Sequence, residues 1–161
     1  MIAGHKAGRE SFRLTVRTCA KLGIPALSLY TFSLENWQRP SKEVKALMRF
    51  LSTVLRSEYL ELNDNNIRLR AMGRLDLLPA ETKKTLDETI ELLSSNDGMI
   101  LNLCLSYGGR AEITDAVRRI GEKIGRLGLP VMVVQEGGYN LSLSGRCVAN
   151  LLEGITAEAI V

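Results

Sequence analysis

The sequence predicts an α/β fold: a parallel β-sheet with helices on both faces. Short apolar runs of strand length, at residues 26–32, 67–72, 99–105 and 130–135, alternate with longer segments. In the longer segments apolar side chains recur every three or four positions, the spacing of one helix face. Glycine, proline and asparagine fall between the runs, where the chain must turn.

Residues 7–22 predict a helix, with Phe12, Val16, Cys19 and Ala20 on one face and Gly23 just past its end. Residues 26–32, ALSLYTF, predict a buried strand, and residues 33–40 a polar loop closed by Pro40. Ser41 is a candidate cap for the next helix. Its stripe runs through Val44, Leu47, Met48, Leu51, Leu55 and Leu62, and residues 63–66 break it. A second strand follows at 67–72. Pro79 suits a first helical turn, and Leu86, Ile90 and Leu93 mark the helix after it. Residues 99–105, MILNLCL, predict a third strand, and 110–124 a helix beyond a Tyr107-Gly108-Gly109 turn. A fourth strand is expected at 130–135, a turn at 136–138 and a last helix at 143–152.

At 161 residues the chain is long enough to bury a core. A net charge of +3 without a block of like charges does not single out nucleic acid. Three widely spaced cysteines, with no C-x-x-C pair, predict reduced thiols and a cytoplasmic setting. The N-terminus has no signal-peptide core. No uncharged run is long enough to span a bilayer, so membrane contact is expected to be peripheral at most. With His5 the only histidine, a multi-histidine metal site cannot form within one chain.

In parallel sheets ligands bind beyond the carboxyl ends of the strands. Three loops are expected there, at 33–39, 106–110 and 136–140. The first is the richest. Arg39 can grip a phosphate with two hydrogen bonds, and Trp37 can line an apolar channel. The alternative is that Trp37 packs on the core and Arg39 pairs with Glu43. Gly4-His5-Lys6-Ala7-Gly8 precedes the first predicted helix and can cradle an anion, although it lacks P-loop spacing. Tyr107-Gly108-Gly109-Arg110 is read as a strand-to-helix turn needing glycine geometry. Arg68 and Arg70 are read as a solvated strand face or an interface.

Several stretches resemble the undecaprenyl diphosphate synthase (cis-prenyltransferase) family. They are residues 2–8, IAGHKAG; residues 31–40, with FSLENWQRP resembling the signature FSxENWxRP; residues 65–70 with Gly73; and residues 101–103 with Tyr107-Gly108-Gly109-Arg110, where Ser106 replaces the usual asparagine. The resemblance covers about residues 2–120 in family order. It implies condensation of isopentenyl diphosphate with an allylic prenyl diphosphate, assisted by magnesium. It implies substrate contacts for His5, Ser33, Trp37 and Arg39. Asn36 takes the position of the proton acceptor, while Glu35 is the better base chemically, so both are catalytic candidates and Asn36 is expected to position water or substrate.

The family's opening motif, resembling D-G-N-G-R-W-A and carrying the magnesium aspartate, would precede Ile2, and the later R-T-S-G-E-x-R-L-S-N motif is also missing. No metal ligand is therefore assigned. The fold is expected to be incomplete relative to the family's, and this chain alone to be impaired or inactive. An uncovered sheet edge predicts self-association as a homo-oligomer. A non-catalytic isoprenoid-diphosphate-binding or partner subunit is the alternative.

The tail differs. Residues from about 127 to 161, with Glu136-Gly137-Gly138-Tyr139, resemble the end of a histone-deacetylase-like amidohydrolase, which implies an oxyanion-stabilising role for Tyr139. Two domains are expected on this basis, 1–124 and 125–161. The single histidine argues against an active zinc deacetylase.

Overall fold

The structure, a computed structural model, describes residues 2–132 and 141–157, with the side chains of 8–132 and 145–157. The chain divides into two compact units, Met1–Tyr107 and Gly108–Val161.

The first unit is an α/β layer. Helix α1 (Ile2–Lys21) is followed by strand β1 (Ala26–Ser33), and helix α2 (Ser41–Asp64) by β2 (Arg68–Met72). Helix α3 (Ala80–Leu92) and strand β3 (Ile100–Tyr107) complete it. The strands pair only in parallel, in the order β1-β3-β2. In register, Leu27, Leu101 and Leu69 form one row and Leu29, Leu103 and Ala71 another. These rows, with Val16 of α1, Met48, Leu55 and Leu62 of α2, and Leu86 of α3, make the core. The core faces expected for α1, α2 and α3 are the ones observed. On the other sheet face Ser28, Tyr30 and Arg70 are exposed.

Several local expectations are corrected. Helix α1 starts at Ile2, so the Gly4–Gly8 segment lies inside its first turns rather than in a loop before it. Ser41 does not cap α2: Pro40 is the capping residue, and its carbonyl accepts the N–H groups of Glu43 and Val44 at 2.8 and 3.1 Å. Pro79 likewise precedes α3 rather than joining its first turn. A proline fixes its own φ near the value helix entry needs, which makes it a serviceable boundary residue without a side-chain cap.

The turn before the 110–124 helix needs no glycine conformation. Gly108 is extended (φ −158°) and is the N-cap of α4. The left-handed residue at this crossing is Ser106, at φ 49°.

The second unit holds helices α4 (Gly109–Gly125) and α5 (Leu141–Ala157). They approach to backbone contact. A Cβ on Gly121 would lie 2.3 Å from the Leu151 carbonyl oxygen, and one on Gly154 would lie 2.3 Å from that of Arg118. Of the expected fourth strand, residues 130–132 are not in a strand, and the rest of it lies outside the described residues, as does Tyr139.

Candidate functional site

The carboxyl end of β1 breaks strand alternation. Its register against β3 slips between Tyr30 and Phe32 and again between Phe32 and Ser33. Phe32 and Ser33 are consequently both buried, where a regular strand would send them to opposite faces. Irregularities of this kind re-aim side chains at sheet ends. The predicted loop begins there, and most of it is a short 3-10 helix, Leu34–Gln38.

Within that helix each candidate residue has a definite partner. The Ser33 N–H donates to Asn36 Oδ1 at 2.9 Å, so the Asn36 amide is held toward the backbone. Glu35 is exposed. Its own backbone N–H and then the Ser33 hydroxyl hold its carboxyl below the usual glutamate value. Glu35 is therefore ionised near neutrality, and is a weaker base than an unperturbed glutamate. Trp37 meets Phe32 edge-on, with ring centroids 5.0 Å apart at 77°. Its Nε1–H donates to Ser106 Oγ at 3.1 Å. Arg39 donates from Nη1 to Glu43 Oε1 at 2.6 Å, in the first turn of α2. Ser33, Glu35, Asn36, Trp37 and Arg39 thus gather beside the carboxyl ends of β1 and β3. The contacts of Trp37 and Arg39 are those of the core-packing alternative. The His5 side chain lies outside the described residues.

Beneath this end of the sheet lies a cavity of about 510 Å³ between α1, β1 and α2. Phe12, Leu29, Phe32, Leu47, Leu51 and Leu103 contribute to its mainly apolar wall. That volume falls within the ~300–1,000 Å³ of small-molecule sites. Trp37 does not line it. Phe32 does, and so stands between the indole and the cavity.

One carboxylate lines the apolar wall. Glu58 of α2 is 4% exposed. It accepts hydrogen bonds from Arg13 Nε and Nη2 at 2.9 and 2.8 Å and from Arg9 Nε at 2.8 Å, with a further bond from Arg9 Nη2. Arg17 pairs with Glu61 in the next step, and Arg13 also approaches Glu61 at 3.4 Å. These pairs tie α1 to α2 across the cavity. Burial pushes the Glu58 carboxyl up, but the hydrogen bonds and charges of Arg13 and Arg9 outweigh it and hold the pKa below its ordinary value.

Sequence reasoning missed Phe32 and Glu58, and it placed Ser106 in a candidate loop without a role. Ser106 is fully buried, left-handed and bonded to the indole. Glu58 shows only as a carboxylate four residues before the end of an apolar stripe, and nothing local marks its two arginines.

Among the described residues no group of three or more His, Cys, Asp or Glu side chains could hold a metal ion. The one carboxylate of the 3-10 helix, Glu35, has no second acidic neighbour in that segment. The described donor set does not fit a magnesium site by itself.

A family model for undecaprenyl diphosphate synthases matches residues 1–150. An isoprenyl transferase of Chlorobaculum tepidum is 49% identical over 123 residues, 76% of this chain and 46% of that protein. The ditrans,polycis-undecaprenyl-diphosphate synthase ((2E,6E)-farnesyl-diphosphate specific) of Aliivibrio fischeri is 42% identical over 125 residues, 78% of this chain and 49% of that one. The chain spans about half the length of the curated relatives it matches. Among solved structures, lavandulyl diphosphate synthase from Lavandula x intermedia, in complex with dimethylallyl diphosphate, superposes with a TM-score of 0.74 at 27% identity. That match covers 95% of this chain and 62% of the plant protein. The family match reaches residue 150 and so runs through most of the tail that the sequence sets apart at residue 125.

Proposed function

The chain belongs to the undecaprenyl diphosphate synthase family, and from that premise we propose that its first unit binds isoprenoid diphosphates in the manner of a cis-prenyltransferase. The substrates proposed are isopentenyl diphosphate and an allylic prenyl diphosphate. The cavity of about 510 Å³ is the observation that carries this reading. Its wall suits an unsaturated hydrocarbon tail, and the polar 3-10 helix sits where β1, which lines the cavity, ends.

Arg39 is the proposed head-group ligand. Its pair with Glu43 reaches from the residue before the Pro40 cap into the first turn of α2, and exposed ion pairs of this kind are worth only ~0.2–1 kcal/mol. A diphosphate can recruit that guanidinium at little cost, with two charge-assisted bonds in exchange for one. Trp37 acts on the tail through Phe32, by fixing the ring that forms the wall. Ser33 and Asn36 order the segment. Glu35, ionised near neutrality, orients a proton-bearing group or water. His5 is kept as a proposed substrate contact from α1. Prenyl transfer by this chain alone is proposed to be slow or absent, because the described residues gather no metal-binding cluster and Glu35 is held below the usual glutamate pKa.

Titration with farnesyl diphosphate and with inorganic pyrophosphate tests the reading. Arg39→Ala should weaken both ligands by about 1.5–3 kcal/mol, the worth of hydrogen bonds to a charged group. Trp37→Ala should weaken farnesyl diphosphate more than pyrophosphate, since it releases the Phe32 ring that forms part of the apolar wall. Equal losses of both ligands in both variants would reduce the two residues to fold support. A third variant, Leu51→Trp, replaces an aliphatic side chain of the cavity wall with a bulkier indole. It should cost farnesyl diphosphate about tenfold or more, ~1.4 kcal/mol, and leave pyrophosphate unchanged. Unaltered farnesyl binding in folded Leu51→Trp would remove the cavity from the proposal.

A further inference from the structure

Helix α2 has two faces of opposite character. Its inner face supplies Met48, Leu51 and Leu55 to the cavity wall. On its outer side, at 100° per residue, Lys42, Lys45, Arg49, Thr53, Arg56 and Leu60 fall within an arc of about 80°. All six are exposed. The carboxylates Glu43, Glu58 and Glu61 lie well outside that arc, and Asp64, the last residue of the helix, lies about 20° beyond its edge. The basic stripe is thus segregated, whereas an ordinary solvated helix face intersperses both signs.

The stripe borders an open groove of about 680 Å³ between α2 and α3. Lys45, Arg49 and Arg56 line it against a single carboxylate, Glu81. Hydroxyls complete it: Ser52 Oγ donates to Thr82 Oγ1 at 3.4 Å, and Arg56 Nη2 donates to Thr85 Oγ1 at 3.2 Å. Lys45 and Arg49 make no ion pair among the described residues. Three cations and several hydroxyls on a concave surface form a phosphate-binding chemistry.

The dimensions indicate what kind of phosphate. From Lys45 to Arg56 the stripe runs about 16 Å along the helix, too long for one phosphate or diphosphate to reach every cation. A row of separate anions matches it. Leu60, 59% exposed, continues the same stripe. An exposed leucine beside basic residues suits the boundary of a lipid bilayer, where the charges meet head groups and the alkyl group enters the acyl region. A nucleic-acid backbone would satisfy the cations and leave Leu60 without a role.

We propose that the α2 stripe with the α2–α3 groove is a docking surface for the phosphate head groups of an anionic bilayer. It is independent of what the cavity binds. It predicts that the full chain sediments with mixed phosphatidylglycerol–phosphatidylcholine vesicles, does not sediment with phosphatidylcholine alone, and is released by salt.

The triple variant Lys45→Gln, Arg49→Gln, Arg56→Gln should lose roughly a hundredfold in partitioning, at about fivefold per basic side chain. A charge-matched control, Lys21→Gln, Arg70→Gln, Lys123→Gln, should keep most of it. Leu60→Ser, at an exposed position that should tolerate the change, tests the surface even if the triple variant fails to fold. It should weaken vesicle binding severalfold without changing affinity for inorganic phosphate. Equal losses in the two triple variants would make the effect one of net charge and overturn the site. So would wild-type indifference to acidic vesicles, an effect of Leu60→Ser on inorganic phosphate alone, or tighter binding to a single-stranded oligonucleotide than to the vesicles.

Discussion

Replacing Glu58 with alanine should lower the stability of the first unit by about 2–3 kcal/mol. The loss follows from what remains. Arg9 and Arg13 would keep their charges beside an apolar cavity with no carboxylate between them. Removing one member of a buried pair costs ~3–5 kcal/mol. The figure here is smaller because the arginine side chains are 33% and 29% exposed and regain some hydration. Trp37, the only tryptophan, lies in this unit and reports its unfolding by fluorescence. In urea the midpoint should fall by about 1–2 M, given slopes of ~1–3 kcal/mol/M. A change under a few tenths of a molar would mean that water already supports the arginines.

The same carboxylate sets an acid limit. Its folded pKa is depressed, so its contribution is complete above the unfolded value, ordinarily 4.5, and is lost as pH falls through the folded value. The wild type should therefore lose stability on acidification below about pH 4.5, and Glu58→Ala should lose less over the same interval.

Gly73→Ala should cost at least about 3 kcal/mol. Gly73 follows β2 with φ 114°, a conformation that costs an L-residue ~1–3 kcal/mol by itself. A Cβ there would also lie 2.1 Å from the carbonyl oxygen of Leu105. Because that oxygen belongs to the backbone of the central strand, no rotamer change relieves the contact. The next residue is Ser106, whose hydroxyl receives the Trp37 N–H and whose carbonyl receives the Arg74 N–H at 3.3 Å. The variant should consequently shift the native Trp37 emission as well as the urea midpoint. An unchanged midpoint would show that β2 and β3 can part at this end without loss.

Much of this was legible because it repeats along the chain. The stripes of α1, α2 and α3, the apolar runs of the three strands and the parallel class all follow from periodicity, and the FSLENWQRP stretch pointed to the family. What escaped depends on packing between distant segments. Glycine content at Gly108 and Gly109 suggested a special backbone there. The strained positions are instead Ser106 and Gly73, where β2 and β3 press together. Sequence could place Trp37 beside a site. It could not say that the indole would turn onto Phe32, because that depends on the register slip that buries Phe32 and Ser33 side by side. Arg39 and Glu43 could be paired from their spacing of four. Glu58 and its arginines, more than forty positions apart, could not.

The strand order carries a consequence for how the first unit assembles. β3 lies in the middle but is made last, so neither neighbour can pair until it arrives. Ser28 of β1 waits 74 positions for Asn102, while β2 closes on β3 across less than half that span. Each doubling of a loop adds about 0.6 kcal/mol of closure entropy, so the β2–α3–β3 crossover is the cheaper pairing to close, and pulsed hydrogen exchange during refolding should protect the amides of β2 before those of β1. Until then the cavity has no wall on the β1 side. On that order the pocket would be the last part of the unit to form.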